Sequence, residues 1–369
     1  MKRKIKKQKK QITRSRTSSS FFSKHKHLHI LLIILGVCVV AFLVVARYSL
    51  STRLAQASTC TPTGFFRDSI NMTAAKINPG KVMGDVDATG CNIGVYFDKN
   101  GSVSGANIHG ANYFGVVVNG DVNNASVDVQ NSSIHDIGET PLNGAQHGVA
   151  IYYRNFGTGG MASGKIWSNT IYNYQKGGIV ANGTGTTVDI KGNTVNGQGS
   201  VNYIAQNGIQ IGYGARAQVM GNTVTDNSYS GTNNAASGGI LAVGGACYGG
   251  DYTTKTEIKK NIVMGNDVGI WLSNLQGDCI SAPTTQTNIK VDNNSISNGG
   301  LANISGNGFP VGYQAGIADQ GYNDKLINNA ISGNGYNPAN SSSSIFVTDI
   351  DASTSFTNKA KVHANSFSL

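Results

Sequence analysis

The residues best suited to chemistry gather between positions 109 and 154. His109 and His135 each follow the apolar residue that closes a short recurring phrase, so they are expected to stack in neighbouring repeats. Asp136, Glu139 and His147 come next, with Tyr152 and Arg154 close behind. Such a set offers a base, an acid and a charge-neutralising guanidinium, the parts needed for β-elimination or hydrolysis. The same types also occur at loop ends as plain solvated polarity, and the residues alone leave both readings open. A second group, Tyr96, Tyr152, Gln210 and Trp271, falls at outward positions of alternating segments. Aromatic faces there would stack on sugar rings while Gln210 hydrogen-bonds, or the chain's own loops and tail would cover them.

What positions these residues is a repeat. A Gly-apolar-x-apolar phrase starts at Gly94, Gly115, Gly148, Gly178, Gly208, Gly239, Gly269 and Gly316, in steps of 21, 33, 30, 30, 31, 30 and 47 residues. A second phrase, apolar-x-x-Asn-x-apolar, puts Asn169, Asn193, Asn222, Asn261, Asn294, Asn329 and Asn365 in one column, with Ala106 and Ser132 as earlier substitutes. Self-similarity at this period signals a solenoid, and the apolar alternation of period two selects strands over helices. Each strand turns one face into a narrow core that only stacking closes. Asn suits the recurring turn because it tolerates the left-handed region, and stacked amides pair along the stack. The outward positions of the Gly-led strands are then Tyr96, Asp98, Val117, Ala150, Tyr152, Arg154, Val180, Asn182, Gln210, Leu241, Trp271, Ser273 and Ala318.

These GI-x-I and N-x-[IV] phrases resemble those of right-handed parallel β-helix proteins of the pectin-lyase-like superfamily. The resemblance spans Ile93 to Leu369 and implies an all-β, single-stranded right-handed parallel β-helix, with the Gly-led sheet as the floor of a substrate groove. It also implies an acidic polysaccharide as partner. Ca²⁺ is a cofactor by resemblance only, because one carboxylate on the expected floor makes no cage for an ion that takes six to eight oxygens. Nor is there the paired-Asp phrase of a polygalacturonase. Longer inserts at His135–His147, Asn196–Asn207, Thr225–Gly238 and Ser297–Ala315 leave at one corner and are expected to wall the groove, whereas Gly244–Thr256 and Asn274–Asn288 fall on its far side.

The net charge of +10 misleads until the chain is divided. Residues 1–57 carry 13 Lys or Arg and no acid, leaving 16 basic and 19 acidic residues, a net of −3, for the remainder. Nucleic-acid binding is thereby disfavoured, since its footprint is a basic patch on the folded domain. Residues 1–29 read as a basic cytoplasmic tail, 30–46 as a transmembrane anchor or signal-peptide core, 47–92 as linker and cap, and 93–369 as the β-helix domain. Ala55-Gln56-Ala57 offers a cleavage site, against which Arg47 and Arg53 argue; either outcome exports the body. His25, His27 and His29 read as juxtamembrane polarity, and no Cys or His spacing suggests zinc.

Outside the apolar run, which holds Cys38, the cysteines are Cys60, Cys91, Cys247 and Cys279, with gaps of 31 and 32 residues within sequential pairs. Those gaps match one coil and predict Cys60–Cys91 and Cys247–Cys279 disulfides in an oxidising compartment. Arg67–Lys76 is expected to form a short helix or irregular cap over the open core end. The functional expectation is an exported, monomeric surface protein that binds polysaccharide or cell-wall glycan, with lyase or hydrolase activity open. The alternative is a non-catalytic structural or adhesive protein.

Overall fold

Isoleucine and valine at every second position build the strands, because a branched Cβ packs well on a pleated surface and loses freedom in a helix. In the computed structural model, which describes residues 59–233, 235–301, 312–352 and 359–369, these strands stack in parallel register. The chain divides into Met1–Gln56 and Ala57–Leu369, so the basic tail and the apolar run lie outside the described residues. Among the described residues no helix is long and apolar enough to cross a membrane.

The Gly-led sheet has 11 strands. It begins with Thr61–Arg67 and Ile70–Ile77, an antiparallel hairpin, and continues in parallel through Ile93–Phe97, Phe114–Asn119, Val149–Arg154, Gly177–Asn182, Asn207–Gly212, Gly238–Gly244, Val268–Asn274, Gly312–Asp319 and Ile345–Asp351. The other strands form two parallel columns, bridged by the long strand Gly101–His109, which pairs with Ala125–Gln130 at its start and Ser133–Ile137 at its end. A coil is therefore three strands, as in Gly177–Asn182, Thr186–Lys191 and Thr194–Val201. This all-β arrangement of long parallel sheets is consistent with a β-helix.

The core is made of aligned stacks. Val95, Val116, Ile151, Ile179, Ile209, Ile240, Ile270 and Ile317 are in register on the Gly-led sheet, and all are fully buried. Each contributes about 1.5–3 kcal/mol by leaving water. The leading glycine faces the same core where coils approach closely: a Cβ on Gly178 would lie 2.4 Å from Val195 Cγ1 and 2.6 Å from Gly208 O. One repeat is phased differently from expectation. Val149 pairs with Phe114 and Ile151 with Val116, so Ala150, not Gly148, occupies the glycine column and points into the core.

The corner before the third strand holds the asparagine ladder. Asn169 Nδ2 donates to Asn193 Oδ1 at 2.9 Å, and the same contact runs through Asn222, Asn261, Asn294, Asn329 and Asn365 at 2.9–3.0 Å. Each rung also accepts the backbone N–H of the rung before it. Ser132 and Ala106 continue the column: Ala106 N donates to Ser132 Oγ, and Ser132 N to Asn169 Oδ1. The residue ahead of each rung is left-handed, with φ between 50 and 66° from Asn131 through Ser168, Gly192, Gly221, Lys260, Asn293, Asn328 and Ala364.

Both expected disulfides are present, Cys60–Cys91 with Cα atoms 5.3 Å apart and Cys247–Cys279 at 4.9 Å. They fit an oxidising, extracytoplasmic environment. Residues 67–76 form no helix. Met72 and Ala74 are buried while Asn71 is exposed, the period of a strand, and Ile70–Ile77 forms the hairpin that opens the stack.

Candidate functional site

The five residues expected to form one centre separate into two pairs, His135 with Asp136 and Glu139 with His147, and Arg154, which pairs outside the set with Asp121. His135 sits on the third strand of its coil, with Nδ1 2.6 Å from Asp136 Oδ2 and Nε2 2.9 Å from Asn107 Oδ1. Its ring lies between His109 at 5.3 Å and Tyr172 at 4.7 Å, so the expected histidine stack exists and extends to a tyrosine. Burial raises the Asp136 carboxyl, but hydrogen bonds from His135 and Asn173 and the charges of His135 and His109 outweigh it and leave the group below its ordinary value. Glu139 and His147 pair at 2.6 Å in the following loop. There His147 is buried with its ring 3.7 Å from that of Tyr113. Gln175 pins this loop, accepting from the backbone N–H of Glu139 and Asn143 and donating to Ala145 O.

Arg154 lies at the far end of Val149–Arg154, roughly 23 Å of extended chain from His147. Its guanidinium bonds Asn119 Oδ1 at 2.9 Å and pairs with Asp121, and it lies over the rings of Phe65 at 4.8 Å and Phe156 at 5.2 Å. Among the described residues no three His, Cys, Asp or Glu converge to hold a metal.

The outward face of the Gly-led sheet is partly covered, and over its first coils the cover is the N-terminal hairpin. Phe65 packs on Tyr96 and Phe114, Arg67 lies over Phe114, and Tyr96, its hydroxyl accepting from Asn119, is buried. At the other end Trp271 donates from Nε1 to Gln320 Oε1 and packs into a cluster with Tyr313, Ala315 and Ala318. Tyr96 and Trp271 are thus held by the chain itself. Gln210 keeps partial exposure and orients Asn182 through a 3.2 Å bond to its Oδ1.

Between these covers a cleft of about 320 Å³ is lined by Phe65, Phe66, Arg67, Tyr152, Arg154, Phe156, Asn182 and Tyr213. A second hollow of about 220 Å³ shares Phe156 and Tyr213 and adds Asn155, Gly157, Gly183, Thr184 and Gly249–Asp251. Thr184 Oγ1 donates to Asp251 Oδ2 at 2.7 Å. Burial raises the Tyr213 hydroxyl, the charges of neighbouring Tyr152 and Tyr248 raise it further, and Arg67 lowers it. The floor follows from register, because Arg154, Asn182 and Gly212 are aligned on successive coils. Gly212 leaves the space: a Cβ there would come within 2.6 Å of Asn182 Oδ1.

Of the expected site residues, the cleft contains Tyr152 and Arg154. Its floor residues Arg154, Asn182 and Gly212 end their strands, away from the four-insert corner, where the described inserts pack onto buried polar groups such as Gln175, Gln206 and Asp267. Phe65, Phe66, Arg67, Phe156, Tyr213 and Asp251 were not foreseen. The signal available was the aromatic-rich Phe65-Phe66-Arg67 triplet shortly after the disulfide cysteine Cys60, but only the hairpin's fold-back brings it over the third coil. Comparison with protein-family models, curated proteins and solved structures gave no match for this chain.

Proposed function

We propose that this is an exported surface protein, a right-handed β-helix of the pectin-lyase-like kind, that binds a glycan in the Phe65–Tyr213 cleft without cleaving it. The observation that carries the reading is the lining itself: aromatic faces beside guanidinium and amide groups, the combination that stacks on sugar rings and bonds their hydroxyls. Binding is favoured over cleavage because carboxylates beside the cleft are engaged, Asp68 by Arg67, Asp121 by Arg154 and Asp251 by Thr184, while the histidine pairs lie elsewhere. The partner is a polysaccharide or cell-wall glycan. The protein acts as a monomer, held at the membrane by residues 30–46 or released after Ala57, and it has no nucleic-acid partner.

The test uses the full-length protein and a panel of pectin, alginate and microbial wall glycans, read by calorimetry and by release of unsaturated products and reducing ends. Binding without product is expected, and Tyr213→Ala weakens it about tenfold or more, the scale of one lost aromatic contact. No binding across the panel, or binding indifferent to Tyr213→Ala and Arg154→Ala, rejects the reading.

A further inference from the structure

The cleft is closed at both ends along the stacking direction, and from this we infer that it takes the end of a glycan chain, not its middle. The inference rests on the glycan-binding reading above and adds which part of the polymer is recognised.

The floor is short. Arg154, Asn182 and Gly212 belong to three successive coils, so the outer two are roughly 10 Å apart at the ordinary strand spacing. On the N-terminal side the row runs from Arg154 back to Asn119, which is buried and bonded to both Arg154 and Tyr96. Above it lies the hairpin, with Phe65 on Tyr96 and Phe114 and with Arg67 Nη2 donating to Gln146 O at 2.8 Å. The hairpin is fastened at its base by Cys60–Cys91. A polymer lying along the row cannot pass this point without lifting the hairpin from three coils.

The C-terminal side is closed by a different segment. Val243 follows Gly212 in register and is buried. The turn after it folds back over the earlier coils: Asp251 accepts from Thr184, and a Cβ on Gly250 would sit 2.6 Å from the Tyr213 ring. Tyr248 reaches the next position of the row and bonds Ser273 Oγ at 2.6 Å. Closure on both sides leaves two adjacent hollows that share Phe156 and Tyr213 in their linings. A continuous polymer needs an open row on each side. A chain end needs one entrance, and its last sugars fill a pocket of this size while the rest of the chain projects into solvent.

The experiment measures binding of the full-length protein to three size series, oligogalacturonates, alginate oligomers and chitooligosaccharides, each from disaccharide to hexasaccharide together with the parent polymer. For a chain-end site, the Kd per mole of chain in the series that binds changes less than about threefold from trisaccharide to polymer, because added sugars touch nothing. Stoichiometry stays at one protein per chain end. If the number of proteins bound per chain grows with length, or the polymer binds while its oligomers do not, the site is internal and the inference falls while the glycan reading stands. If none of the three series binds, the glycan reading is lost and the inference with it.

Discussion

At the scale of single residues, the chain places carboxylates where alternation alone predicts solvated polarity. Asp319 and Asp324 are fully or almost fully buried near Thr287, which donates from Oγ1 to Asp324 Oδ1 at 2.7 Å. Burial, and then the neighbouring Asp319, push the Asp324 carboxyl up to about 8; Asp267, held by Ser228, Tyr229 and Ser237, is pushed up to about 7 by burial. In the unfolded chain these acids titrate near 3.8. Between the two values the folded state keeps the proton and the unfolded state has lost it, so stability is full below the unfolded value and declines as pH rises, levelling above about 8. Asp324→Asn keeps an acceptor for Thr287 and the Ile289 N–H but removes the titration. Melting temperatures between about pH 5 and 8 should therefore fall more steeply for the wild type than for the variant, which keeps the Asp267 titration, and parallel curves would show that Asp324 is ionised in the fold. No spacing rule reveals such groups, because an Asp at a turn reads as an exposed capping residue until a later coil covers it.

At the scale of the element, the corner is what the sequence makes most legible. The asparagine column is visible as a period, and each amide serves two coils at once, so the ladder forms whenever the strands stack in register. Less legible was phase. Gly148 and Ala150 both fit the alternating phrase, and pairing with Phe114 decides for Ala150. The hairpin was missed for a related reason: Arg67–Lys76 carries residues compatible with a helix turn, whereas its strand identity depends on Met72 and Ala74 finding Phe65 and Ile93 to pack on. Two substitutions at the corner should act with opposite sign. Asn222→Leu unpairs the buried backbone N–H of Asn193 and the carbonyl of Ile190, costing about 1–3 kcal/mol. Lys260→Gly relieves an exposed side chain held at a φ of 57° and should stabilise by about 1 kcal/mol, less the extra freedom glycine gives the unfolded chain. Denaturant midpoints moving in these directions support the corner as drawn; an unchanged midpoint for Asn222→Leu removes the ladder as a stabilising element.

At the scale of the folded body, each coil touches mainly its neighbours, so stability is close to a sum of coil and interface contributions, and damage at one end should stay local. The periods exposed this coil-by-coil architecture because every coil repeats the same two phrases. They concealed the cleft, because its wall comes from a hairpin that lacks those phrases and whose first strand packs side chains across the first three coils. The hairpin and the cleft are therefore coupled, and Cys60–Cys91 is the fastening between them. Replacing both cysteines by serine releases a crosslink that closes a 31-residue separation, worth about 2–4 kcal/mol by unfolded-chain entropy. Amide exchange in Ile93–Phe97 and Phe114–Asn119 should accelerate by about thirtyfold or more, the factor equivalent to 2 kcal/mol, while Gly238–Gly244 and Val268–Asn274 keep their wild-type protection. The glycan affinity proposed for the cleft should fall in the same variant, because Phe65, Phe66 and Arg67 line it. Uniform acceleration through all coils would instead show that the stack unfolds as one cooperative unit, and unchanged affinity with a loosened hairpin would separate the hairpin from recognition.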